Sequence, residues 1–94
     1  MFGKAKKAKA SYGIVGLGRF GLALAIELAE AGEDLVVLDQ EEEKVRIMRD
    51  YTEAAYVVNS LDKKTLEETG IQNCDVAVVC IGEKMDVSIL TTLH

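Results

Sequence analysis

The sequence predicts an α/β fold, a doubly wound parallel sheet with strand order 3-2-1-4. Three observations carry that prediction. Four short β-favouring runs alternate with helical patterns along the 94 residues. The connections between them are short, as right-handed crossovers in one sheet require. The first run passes directly into Gly16-Leu17-Gly18-Arg19-Phe20-Gly21, a G-x-G-x-x-G loop that opens a helix.

Residues 12–17 form the first expected strand. In the loop that follows, the first glycine allows a tight turn and the second lets backbone approach a pyrophosphate. The third lets the helix pack close to the sheet with its N-terminal N–H groups aimed at the anion. The helix over 19–31 is apolar on most of its surface, from Phe20 through Leu22, Leu24, Ile26 and Leu28, with Glu27 and Glu30 marking a wet stripe. An arc wider than one sheet face needs suggests either a second contact or simply good helix formers. Gly32 closes it.

Leu35-Val36-Val37-Leu38 is a continuous run of the kind buried on both faces in a parallel sheet, and it stops at Asp39. Glu41, Glu42 and Glu43 open a second helix, where negative charge suits the dipole. Val45, Met48 and Tyr51 give it an apolar edge. Ala54–Val58 is the third strand. Asp62 is placed to cap a short helix over Lys63–Thr69, which Gly70 ends. Val76–Ile81 is the fourth strand, broken by Gly82, and Asp86–Leu93 is expected to begin another helix.

Composition narrows the function. Hydrophobic residues make up 49% of the chain but aromatics only 5%, so the core must be aliphatic. No apolar run approaches the roughly 20 residues that span a bilayer, so no direct membrane insertion is expected. Lys4, Lys6, Lys7 and Lys9 make residues 1–10 a basic, flexible leader without an apolar signal core. They carry +4 of a chain whose net charge is −5, which leaves −9 on residues 11–94. An acidic body of that kind argues against nucleic acid. Cys74 and Cys80 have poor metal spacing and read as reduced thiols, and no metal site is expected.

At the C-terminal ends of the expected strands stand residues suited to a nucleotide. Asp39 lies 23 positions beyond Gly16, where a carboxylate accepts hydrogen bonds from both ribose hydroxyls; its other role would be a helix N-cap, and the glycines favour the ribose. Gln40 and three glutamates follow it, with no arginine for a 2′-phosphate, so NADP is disfavoured. Asn59 and Ser60 close strand three and suit either an adenine edge or a turn. Gly82 sits where backbone would approach a phosphate or ribose, or simply ends the strand. Arg19 falls between the second and third glycines, where a guanidinium forks phosphate oxygens and is otherwise out of place at a helix start. Glu83 and Asp86 suggest a cation site less than they suggest solvated carboxylates at a helix start.

These residues resemble the N-terminal lobe of the potassium-transport regulators, the RCK or KTN (TrkA-N) domains of the Ktr and Trk systems. The resemblance rests on Gly16-Leu17-Gly18-Arg19-Phe20-Gly21, Asp39-Gln40-Glu41-Glu42-Glu43-Lys44-Val45, Ile81-Gly82 and Leu90-Thr91-Thr92-Leu93, and runs from about Tyr12 to the end. It implies a Rossmann-like nucleotide-binding lobe over 11–94, with ATP/ADP or NAD(H) as competing ligands. It also implies a cytoplasmic subunit, peripheral to the inner face of the membrane. Such subunits form dimers that assemble into a ring under a potassium channel or transporter. Asp39 would then hold the ribose and Arg19 the outer phosphates, with Asn59, Ser60, Ile81, Gly82 and Glu83 on the adenosine side. The sequence stops within the helix expected after strand four, so the last strands and the C-terminal lobe are expected to lie outside it.

A regulatory binding module that is not an enzyme is therefore the leading reading. The alternative is a cofactor-binding fragment of an NAD-dependent oxidoreductase. Against it, hydride transfer needs a proton-transferring group and a substrate pocket, and His94 is the single histidine. A third reading makes nucleotide a structural filler in an assembly.

Overall fold

The computed structural model describes residues 10–81 and 84–89, with side chains described through Cys80 and at Val87. In chain order the elements are β1 (Ser11–Val15), α1 (Arg19–Glu30), β2 (Asp34–Asp39), α2 (Glu42–Met48), β3 (Ala55–Val57), α3 (Lys63–Thr69), a 3-10 turn (Ile71–Asn73), β4 (Val76–Ile81) and β5 (Lys84–Ile89). The sheet order is β3-β2-β1-β4-β5. The first four strands are parallel, in the expected order 3-2-1-4.

The period of two in each strand splits the core into two layers. Ile14, Val37 and Val78 face one side, where α1 and α2 add Ala25, Val45 and Met48. Their neighbours Val15 and Leu38 face the other, against Ile71, Cys74 and Leu66. Helices thus cover both faces, which explains why β2 reads as an unbroken apolar run. Of α1 only Gly21 and Ala25 are fully buried. Leu22, Leu24, Ile26 and Leu28 are half-buried flanks, and the exposed stripe runs through Phe20, Ala23, Glu27 and Glu30. Tyr51 falls beyond the end of α2 and is exposed, so Val45 and Met48 alone anchor that helix.

The bounds of α3 follow its sequence signals. Asp62 accepts a hydrogen bond from the Thr65 N–H at 2.8 Å and caps the helix. That bond holds the Asp62 carboxyl below its ordinary range. Gly70 ends the helix in the left-handed region at φ 80°.

One expectation fails. The segment expected to start a helix at Asp86 is strand β5, antiparallel to β4, with Ile81 opposite Lys84 and Val76 opposite Ile89. The reason lies in its pattern: Met85, Val87 and Ile89 alternate with Lys84, Asp86 and Ser88, a strand period that completes the free edge of β4. The remainder of the expected helix, residues 90–93, lies outside the described residues, as do residues 1–9. Among the described residues no helix is long and apolar enough to cross a membrane.

Candidate functional site

Because β1 to β4 are parallel, their C-terminal ends share one edge, and the segments that follow β1, β2 and β3 border, with Cys80 of β4, a cleft of about 870 Å³. That lies in the range of roughly 300–1,000 Å³ for small-molecule sites. Gly18, Arg19, Phe20, Gly21, Asp39, Gln40, Asn59 and Ser60 line it.

The glycine loop is built by close approach. Gly16 has φ 96°, and a Cβ there would collide with the Cys80 carbonyl of β4. A Cβ on Gly21 would collide with the Gly16 carbonyl. These two glycines seat the loop on the sheet and α1 on the loop. Gly18 differs: its φ is −71°, and among the described residues a Cβ would meet nothing within 4 Å. It is the N-cap of α1, and among the described residues no side chain caps that helix. The first N–H groups of α1 thus have no capping acceptor among them, as an anion site requires.

Leu17 is 1% exposed, its side chain in the α1–α2 layer. Its N–H donates to Asp39 Oδ2 at 2.6 Å. The other oxygen of Asp39 accepts from the Glu41 N–H at 2.7 Å, where Glu41 is the N-cap position of α2. Asp39 is thus not itself the cap residue, yet its carboxylate supports the start of α2. Half-buried at the cleft wall, it keeps lone pairs for further donors.

Arg19 is exposed and makes no ion pair among the described residues. The other cation on the cleft, Lys44, pairs with Glu41 at 3.4 Å. Across the cleft, the Gln40 side-chain amide donates weakly to the Asn59 carbonyl at 3.4 Å. The Ser60 hydroxyl donates to Asp62 Oδ2 at 3.3 Å, which ties it to the α3 cap. Ile81 ends β4, while Gly82 and Glu83 lie outside the described residues.

Sequence reasoning missed Val15, Glu41, Lys44, Val58, Leu61 and Cys80 as cleft-lining residues. Two signals would have found most of them. Val15, Val58 and Cys80 fall at the C-terminal ends of parallel strands, and Lys44 stands one helical turn beyond Glu41. Burial pushes the Cys80 thiol above its usual range.

This geometry now meets a family. The TrkA-N domain matches residues 12–94. The chain belongs to the TrkA-N domain family. Among curated proteins it is 36% identical over 85 residues to the Ktr system potassium uptake protein C of Bacillus subtilis (strain 168), covering 90% of this chain and 38% of that one. It is 35% identical over 82 residues to Ktr system potassium uptake protein A of the same organism, covering 87% and 37%. Identity to the Ktr system potassium uptake protein A of Vibrio alginolyticus is 32% over 88 residues, covering 94% and 40%. The chain thus spans about two fifths of the length of these relatives.

Proposed function

We propose that this TrkA-N domain is the nucleotide-sensing part of a regulatory subunit that serves potassium uptake, and that it acts as a binding module and not as an enzyme. Its relatives are named as components of a potassium uptake system. The observation that carries the nucleotide reading is Gly18, which opens on the cleft with nothing among the described residues to require a glycine. A pyrophosphate lying against that backbone gives the missing side chain a purpose.

In this reading ATP/ADP or NAD(H) lies along the strand ends. The diphosphate rests on Gly18 and the start of α1, and the ribose hydroxyls donate to Asp39. The adenosine runs toward Asn59 and Ser60, the side to which the family resemblance also assigns Ile81, Gly82 and Glu83. Phe20 and Leu61, both exposed, flank the cleft as apolar surface for a base. A 2′-phosphate would meet the carboxylates of Asp39 and Glu41, with Lys44 already paired, which disfavours NADP. Arg19, free of an ion pair, reaches a terminal phosphate that ATP has and NADH lacks. Differential affinity in two arrangements of the subunit is what converts such binding into gating of a membrane potassium channel or transporter. The domain then works from the cytoplasmic face, in homo-oligomers assembled as a ring.

Calorimetry with ATP, ADP, NADH and NADPH tests the reading. Arg19→Ala weakens ATP by about ten-fold or more, as expected for a lost charge-assisted bond, and NADH by much less. Equal losses for both ligands would remove the phosphate-counting role. A wild-type protein that binds none of the four sinks the nucleotide site itself.

A further inference from the structure

The parallel ladder between β1 and β2 does not stop where the strands do. Val15 pairs with Leu38, and one step on the Gly16 N–H donates to the Leu38 carbonyl at 2.8 Å. Successive N–H groups of a strand point to opposite neighbours, so the Leu17 N–H is not the next rung of that ladder. It finds the Asp39 side chain, at 2.6 Å. The Asp39 carbonyl faces β3, accepting from the Val58 N–H at 2.9 Å. With the Glu41 N–H on Oδ1, this one residue joins the glycine loop, the end of β3 and the start of α2.

We infer that Asp39 is a positioning residue for the glycine loop, setting its ligand-ready shape before any ligand arrives. Both ends of Leu17 are then fixed, the side chain by the core and the N–H by Asp39. The flanking glycines cannot supply this hold, since neither carries a side chain. A carboxylate is needed because two N–H donors converge on it. Asparagine offers one oxygen, and its amide would face the second donor hydrogen to hydrogen. Charge-assisted bonds are also the stronger kind. A ribose would add its hydroxyls to a group that already holds the loop.

Amide hydrogen exchange on the ligand-free protein tests this without any nucleotide. In Asp39→Asn the Leu17 and Glu41 amides exchange about ten-fold faster or more, as loss of a bond to a charged acceptor predicts. The Ile14 and Val37 amides, within the sheet, keep their rates. Asp39→Glu, which retains the charge but displaces it by a methylene, also speeds Leu17. An unchanged Leu17 rate overturns the inference, and so does an acceleration spread equally over Ile14 and Val37. Tripolyphosphate, which has no ribose, gives the second readout. Removing a negative charge alone would tighten it, whereas a loosened loop binds it several-fold more weakly. Tighter or unchanged tripolyphosphate binding in Asp39→Asn contradicts the positioning role. If the wild type binds neither ATP nor tripolyphosphate, the nucleotide reading fails while the exchange result still decides the role of Asp39.

Discussion

Gly18 and its two neighbours in the motif, Gly16 and Gly21, are the same residue type a few positions apart, and the structure uses them for opposite ends. Gly16 and Gly21 face inward, where Cys80 and Gly16 carbonyls leave no room for a methyl group. Gly18 faces outward with unstrained backbone, and none of the described residues would meet a side chain there. A G-x-G-x-x-G spacing therefore mixes two demands, one from the fold and one from whatever occupies the cleft. Only the second is evidence of function.

Substitution separates the two demands. The largest effect belongs to Gly16→Ala, which combines a left-handed φ of 96° with a backbone collision. It is expected to cost about 3 kcal/mol or more, seen as a fall in Tm above about 10 °C. Gly21→Ala forces α1 off the loop and is expected to cost about 2 kcal/mol by the same measurement. Gly18→Ala reverses the pattern. Its Tm is expected to stay within about 2 °C of wild type, while ATP and NADH both weaken by about ten-fold as the methyl group enters the phosphate position. A stability loss equal to that of Gly16→Ala would dissolve the distinction. Arg19→Ala, at an exposed residue without an ion pair among the described residues, leaves Tm unchanged and weakens ATP far more than NADH.

The smallest effect lies away from the loop, at the cap of α3. Asp62→Ala removes the acceptor for the Thr65 N–H and is expected to lower Tm slightly without altering nucleotide affinity. The hydrogen bond depresses the folded-state pKa of Asp62 below the ordinary value of an aspartate. The cap therefore contributes fully above the unfolded pKa and is lost as pH falls through the folded one. The difference in Tm between wild type and Asp62→Ala should vanish in that acidic window.

Much of the parallel core was legible because its signals are local. Leu35–Leu38 and Val76–Ile81 are unbroken β-favouring runs, and Asp62 and Gly70 bracket α3 with the chemistry that starts and stops a helix. Strand β5 was not legible in the same way. Its alternation spans six residues only and runs directly into the leucine spacing of residues 90–93, so helix and strand periods competed over a short window. Within the site, the glycine loop and Asp39 were visible as a motif. The bond from Leu17 to Asp39 crosses 22 positions and depends on where the β1–β2 ladder ends, which no local pattern encodes. Lys44 and Cys80 escaped notice for a related reason. Membership of the cleft is decided by which strand ends share an edge, not by residue type.

The two cysteines offer a way to time this architecture. Cys80 lies in the layer under α1 and α2, and Cys74 in the opposite layer against Ile71. Both are free thiols, and burial raises the pKa of each. An alkylating reagent reaches Cys74 only as its covering layer lifts, whereas Cys80 also borders the cleft and is approached from there. Labelling of Cys74 therefore times the opening of its face of the sheet, and labelling of Cys80 reports in addition whether the cleft is occupied.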